Sequence, residues 1–111
     1  MYPTFEQEEA LRHLADAVLR DLKRLKPMPT CLVDLCGKYP VPESVHEALG
    51  RFIGSEAKQR EATIIMAFLV ELASYSDYPA YWRLVRTAAG NRLWHFRNRF
   101  LLRRIAGEVF Y

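Results

Sequence analysis

The most apolar segment of the chain is Ala62-Thr63-Ile64-Ile65-Met66-Ala67-Phe68-Leu69-Val70. Its β-branched residues would also suit a buried strand, but no second strand candidate is present to pair with it. Because the segment is apolar on all sides, it is typical of a helix that is surrounded by other helices. We therefore predict a buried central helix over about residues 56–74, with Ser55 as its N-terminal cap.

A first helix is predicted at the N-terminus, where Thr4 and Gln7 have the spacing of a capping box. Glutamates follow at the positive end of the helix dipole, and basic residues precede Pro27 at the negative end. Pro27 ends this helix, since proline cannot continue it. Apolar residues at spacings of three and four form a stripe that we expect to face the core: Leu11, Leu14, Ala15, Val18, Leu22 and Leu25.

A short second helix is predicted after a turn at Pro27–Pro29. Thr30 has the hydroxyl side chain of a helix N-cap, and the helix runs from Cys31 to Cys36. Gly37 follows directly, so we expect it to end the helix in the left-handed backbone conformation.

Three further helices are predicted between this point and the C-terminus. Tyr39–Pro42 must be extended, because each proline excludes the helical conformation at the residue before it. A helix then runs from Pro42 to about Ile53, as proline is favoured at the first helical position. The remaining two cover roughly Tyr78–Ala89 and Asn91–Ala106, and Gly90 marks either a break or a kink between them.

Together these elements predict an all-α fold for residues 1–111, as a single small domain of five or six helices around the central helix. Half of the residues are hydrophobic, enough to offset the entropy lost on folding. The two cysteines, Cys31 and Cys36, lie five apart on one helix, an unsuitable geometry for a disulfide, so we expect reduced thiols and a cytoplasmic location. The N-terminus lacks the pattern of a signal peptide, and we expect no transmembrane segment.

Charge is divided unevenly along the chain. Residues 1–80 carry nine Lys/Arg against twelve Asp/Glu, whereas residues 81–111 carry seven arginines, no lysine and Glu108 as the only acid. Arginine pairs bidentately with carboxylate or phosphate and stacks on aromatic rings, which lysine does not do. The C-terminal segment is therefore where we expect a partner to bind.

On the last helix, Arg92, Arg99 and Arg103 fall within about 40° of one another around the helix axis. Arg97 and Arg104 form a second pair, and the segment also carries tryptophan and phenylalanine. Arginine and aromatic residues are the types enriched in protein interfaces. The predicted partner-binding residues are Arg92, Trp94, Arg97, Arg99, Phe100, Arg103 and Arg104.

Two other interpretations of the same residues stay open. The arginines would serve the fold alone if the acidic remainder of the chain held them in internal salt bridges while the aromatic rings filled the core. They would serve nucleic-acid binding if they contacted phosphates. A related hypothesis concerns Glu71, which interrupts the most apolar helix and should pair with an arginine between Arg83 and Arg104 if it is buried.

Metal and catalytic sites are poorly supported. Glu43 and His46 have the E-x-x-H spacing of di-iron bundles, but no second copy occurs. Cys31 and Cys36 on one helix would not direct both sulfurs at a single zinc ion. His13, His46 and His95 are not accompanied by a nucleophile motif or a phosphate-binding loop. We expect neither a metal nor a cofactor, and no enzymatic activity.

Two binding classes receive less support. A helix-turn-helix over residues 32–49 would present Glu43 and Glu47 to phosphates. A membrane-surface helix would need one polar face, whereas the C-terminal arginines occupy two arcs. The function that we predict is a non-enzymatic helical adaptor or regulator that binds a protein partner, including another copy of itself, through the C-terminal arginine and aromatic residues. The alternative is a regulator that binds nucleic acid with the same arginines.

Overall fold

Helices account for most of the described chain. The computed structural model describes residues 5–55, 60–73 and 92–110. Within these ranges the elements are α1 (Phe5–Lys23), α2 (Leu32–Lys38), α3 (Glu43–Ser55), α4 (Glu61–Ala73), α5 (Arg92–Ile105) and a π-helical turn (Ala106–Phe110). No strand occurs in these three ranges, and the predicted all-α fold class is confirmed.

Helix α4 is the central element of the fold, as its apolar sequence predicts. Eight of its thirteen residues are buried, and they lie on several sides of the helix. It packs against α1, α3 and α5, so that its apolar faces are covered by three different helices. Residues 56–59 and 74, which belong to the predicted extent of this helix, lie outside the described residues.

Helix α1 ends in a Schellman motif centred on Leu25. The N–H of Lys26 donates to the carbonyl oxygen of Asp21 at 3.1 Å, and the N–H of Leu25 donates to that of Leu22 at 3.0 Å. Leu25 has the φ of 57° that this motif requires. Its side chain is 81% exposed, so the prediction that Leu25 belongs to the buried stripe is wrong. The other predicted stripe residues are buried, and Leu19 joins them.

Helix α2 differs from its prediction at both ends. Cys31 is the N-cap residue and makes no side-chain capping bond, so the predicted capping role of Thr30 is wrong. Gly37 lies inside the helix, which ends at Lys38 with Tyr39 in an extended conformation, so the predicted left-handed glycine is also wrong.

The missing cap of α2 is supplied from another helix. Glu61 Oε1, at the first residue of α4, accepts a hydrogen bond from the backbone N–H of Leu32 at 3.0 Å. The first backbone N–H groups of a helix have no partner inside the helix. A distant carboxylate therefore replaces the local hydroxyl that the sequence pattern suggested, and it ties α2 to the central helix.

Helix α3 begins one residue after Pro42 and extends to Ser55, past the predicted end at about Ile53. Ser55 is the last residue of α3, and its hydroxyl donates to the carbonyl oxygen of Phe52 at 3.0 Å. The backbone N–H groups that it is predicted to cap on the central helix belong to residues 56–59, which lie outside the described residues. The extended segment before α3 is held to α1, because the Tyr39 hydroxyl donates to Asp21 Oδ2 at 2.9 Å.

The C-terminus closes the core. Phe110, in the π-helical turn, is 1% exposed and stacks on Phe68 of α4 with ring centroids 5.8 Å apart. This turn also contacts α3. The predicted capping residue Thr4, the predicted helix over Tyr78–Ala89 and the predicted break at Gly90 all lie outside the described residues.

Candidate functional site

Helix α5 divides into a buried face and an exposed face. Asn98, Leu101 and Ile105 are buried against the rest of the domain, and Trp94 and Leu102 are half-buried beside them. The exposed side chains lie on an arc of about 160° at 100° per residue. We call them the arginine–phenylalanine surface, which consists of Phe96, Arg97, Arg99, Phe100, Arg103 and Arg104.

Packing of the buried face fixes how α5 is rotated. Asn98 is a buried polar side chain, and both ends of its amide form hydrogen bonds. Its Nδ2 donates to the carbonyl oxygen of Trp94 at 2.9 Å, and its Oδ1 accepts from Arg60 Nη2 at 3.4 Å. Because a buried amide without partners costs free energy, these bonds favour the rotation that turns the opposite face outward.

Within the arginine–phenylalanine surface, Arg99 contacts two phenylalanines. Its guanidinium carbon is 5.0 Å from the ring centroid of Phe96 and 4.9 Å from that of Phe100. The two rings are 65% and 60% exposed. Phe96 lies three residues before Arg99, a spacing that makes their side chains neighbours on a helix, whereas Phe100 is the next residue in the sequence. The surface therefore combines a positioned cation with two accessible apolar rings.

Three of the four arginines of this surface have no ion-pair partner in the described part of the chain. Helix α5 contains no acidic residue, and Arg97, Arg99 and Arg103 form no ion pair with any described carboxylate. Ion pairs elsewhere in the described residues include Lys26 with Asp21 at 3.7 Å and Arg51 with Glu108 at 3.9 Å. A cluster of this kind produces a positive local potential that attracts anionic groups.

Two of the predicted site residues also contact other parts of the domain. Arg104 is exposed, but its guanidinium carbon lies 5.3 Å from the ring centroid of buried Phe52, and it thus links α5 to α3. Trp94 is half-buried and packs against both clusters of the hydrophobic core. Much of its indole therefore serves packing.

The structure brings Arg97, Arg99, Phe100, Arg103 and Arg104 onto one exposed arc. The backbone of Arg92 belongs to the same helix, and its side chain lies outside the described part of the structure. Phe96 was absent from the predicted site residues. Its position three residues before Arg99 is the signal that would have identified it.

Burial raises the pKa of Glu71, which is half-buried on α4. The hypothesis that this carboxylate pairs with an arginine between Arg83 and Arg104 stays a prediction, because Arg83 and Arg86 lie outside the described residues.

The described residues include no group of three His, Cys, Asp or Glu side chains placed to hold a metal ion. Glu43 and His46 are exposed on α3. Cys31 and Cys36 are half-buried free thiols, and burial raises the pKa of Cys36.

The arginine–phenylalanine surface offers guanidinium donors and aromatic faces, which suit recognition of anionic and apolar groups together.

Neither a protein-family model, nor a curated protein, nor a solved structure matches this chain. Among the described helices, none has the length and apolar character that crossing a bilayer requires. The class of protein that the structure defines is a small all-α domain.

Proposed function

We propose that this chain is a non-enzymatic adaptor or regulator, acting in the cytoplasm, that binds a protein partner through the arginine–phenylalanine surface. The observation that carries the proposal is the contact of Arg99 with the exposed rings of Phe96 and Phe100, on a surface where Arg97 and Arg103 form no ion pair with a described carboxylate. Neighbouring exposed apolar rings rimmed by charged residues are typical of surfaces that bind other proteins.

The chemistry of this surface defines the partner. Carboxylates on the partner would pair with Arg97 and Arg103, while apolar side chains would cover the two phenylalanine rings. Full burial of a phenylalanine stabilises by about 1.5–3 kcal/mol, so covering two rings that are more than half exposed contributes about 2–4 kcal/mol in total. An acidic protein surface with apolar side chains satisfies both requirements.

The contacts of Arg99 lower the cost of binding. A long side chain loses about 0.5–1.5 kcal/mol of conformational freedom when a partner immobilises it. Cation–π contacts at exposed sites are worth about 0.5–1 kcal/mol each, so the two rings restrict Arg99 before any partner arrives. This restriction favours recognition in a defined geometry over diffuse attraction of anions.

Affinity capture from cells that express the chain naturally tests the proposal. The baits are the wild-type chain, the variant R97Q/R99Q/R103Q, and the control R20Q/R24Q/K38Q, which loses the same positive charge at exposed positions outside α5. We expect the wild type and the control to retain partner proteins that the α5 variant loses. Equal capture by all three baits contradicts the proposal.

Nucleic-acid binding is the second candidate, favoured by the exposed rings beside arginines, since bases stack on aromatic side chains. Anisotropy titrations with random duplex and single-stranded oligonucleotides at two salt concentrations separate the candidates. Phosphate contacts give a log–log slope of affinity against salt near −0.9 per contact on duplex DNA, roughly. The protein proposal predicts no binding to either oligonucleotide at low salt, and steep salt-dependent binding supports the second candidate.

A further inference from the structure

We propose that the partner of the arginine–phenylalanine surface is a second copy of this chain, which docks the N-terminal half of its α1 there. The inference rests on the proposed function, because it names the occupant of the same surface. It begins from a second exposed face, on α1, whose charge is opposite to that of α5.

The face on α1 is built around a groove. Phe5, which is 77% exposed, stands at one end, and the groove has a volume of about 270 Å³. Its lining residues in the described part of the chain are Phe5, Glu8, Glu9, Arg12, His13 and Asp16. Since these residues recur at spacings of three and four, they lie on one side of the helix. We call them the acidic groove.

Charge complementarity identifies the occupant. Glu8, Glu9 and Asp16 outnumber Arg12 in the acidic groove, and these three carboxylates form no ion pair with any described cation. The α5 surface has the reverse property, since Arg97, Arg99 and Arg103 form no ion pair with any described carboxylate. Each surface therefore offers counter-charges to side chains of the other that have no ion-pair partner among the described residues.

Apolar content also agrees, because each of the two surfaces carries exposed phenylalanine. Phe5 of one copy would at the same time cover the exposed rings of α5 on the other copy, and removing both from water favours association.

The contact uses two different surfaces of the chain, so it is heterologous. In a closed dimer, the acidic groove of each copy contacts the α5 surface of the other. If only one such contact forms, one acidic groove and one α5 surface stay open, and further copies can add to them. In both cases association rises with concentration. It also weakens with salt, because the Debye length falls from about 8 Å at 0.15 M to about 3 Å at 1 M ionic strength.

Sedimentation velocity of the full chain tests the inference with two charge-reversal variants. E9R/D16R reverses the acidic groove, and R99E/R103E reverses the α5 surface. Each variant alone should self-associate at least about tenfold more weakly than the wild type, since like charges would meet across the contact. An equimolar mixture should regain association, because each copy then meets an opposite charge on the other. The control E43R/E47R, which reverses two exposed acids on α3, should behave as wild type.

A wild-type chain that stays monomeric up to about 1 mM overturns the inference. A mixture that associates no better than either variant also overturns it. Circular dichroism confirms that each variant folds, and E9Q/D16Q with R99Q/R103Q replace any reversal variant that does not. If the wild type is monomeric while R97Q/R99Q/R103Q still loses captured proteins, the second copy is excluded and the proposed function stands.

Discussion

The Glu61 carboxylate caps a helix that lies 29 residues earlier in the sequence, by accepting the N–H of Leu32 at 3.0 Å. Cys31, the local N-cap residue, makes no side-chain capping bond, so α2 depends on α4 for this contact. The bond joins a short helix to the central helix of the core.

Replacing Glu61 by alanine should therefore lower the free energy of unfolding by about 1–2 kcal/mol, as loss of an N-cap does. The control is E61Q, whose amide oxygen can still accept the hydrogen bond. Its unfolding free energy should fall by less than half as much. Urea denaturation measures both variants. Equal losses would show that the charge of Glu61, and not the capping bond, carries the effect.

Leu25 provides a test of the Schellman motif at the end of α1. A left-handed conformation strains any residue that has a Cβ atom, and this side chain is 81% exposed. Glycine relieves the strain but loses more entropy on folding, so L25G should raise stability by about 0.5–1 kcal/mol. L25A keeps the strain and should stay within about 0.5 kcal/mol of wild type. Urea denaturation measures the unfolding free energy of both variants. An L25G variant that is less stable than L25A would contradict this account.

Tyr39 makes stability depend on alkaline pH. Burial, together with the hydrogen bond to Asp21 and its negative charge, raises the pKa of Tyr39 to about 12. The unfolded value is about 10, so the folded state holds the phenolic proton more tightly. The contribution of the Tyr39 hydroxyl to the free energy of unfolding is complete below about pH 10, and it is lost as the pH rises through about 12.

Replacing Tyr39 by phenylalanine removes the hydrogen bond and should cost about 1 kcal/mol at neutral pH. The difference in unfolding free energy between wild type and Y39F should shrink between about pH 10 and pH 12, because only the wild type loses the Tyr39 contribution there. Denaturant unfolding of both proteins across this pH range measures the difference. A difference that stays constant would contradict the role assigned to the Tyr39 hydroxyl.

Two phenylalanines near the C-terminus should behave differently. F110A removes a fully buried ring that stacks on Phe68 and should cost about 3–5 kcal/mol. F100A removes a ring that is 60% exposed and contacts Arg99, and it should cost less than about 1 kcal/mol. Thermal and urea unfolding of the pair provide the comparison. Similar losses would mean that Phe100 serves the fold.

Regular periodicity allowed much of the fold to be predicted from the sequence. The uninterrupted apolar run identified α4 as the buried helix, and spacings of three and four identified the buried face of α1. Helix ends were less predictable, because several residues compete for the same role. Leu25 adopts the left-handed position where glycine is favoured, while Gly37 continues a helix. The capping of α2 by Glu61 depends on tertiary packing that no local pattern contains.

The candidate site was predictable to a similar extent. Helical periodicity placed Arg99 and Arg103 on one side of the last helix, and both are exposed there. It could not decide which aromatic residues would face the core, because that depends on how α5 packs against α4. Trp94 is half-buried, whereas Phe96 and Phe100 remain outside.

The most direct test asks whether the α5 arginines serve the fold or a partner, and it measures the unfolding free energy of R97Q/R99Q/R103Q by urea denaturation. Glutamine has nearly the same helix propensity as arginine, and these guanidinium groups form no ion pair with described carboxylates. We predict a loss of no more than about 2 kcal/mol relative to the wild type and to the control R20Q/R24Q/K38Q, because the two cation–π contacts of Arg99 contribute at most that much. A loss of more than about 2 kcal/mol in the α5 variant alone would show that the arginines hold the fold together, and would contradict the account.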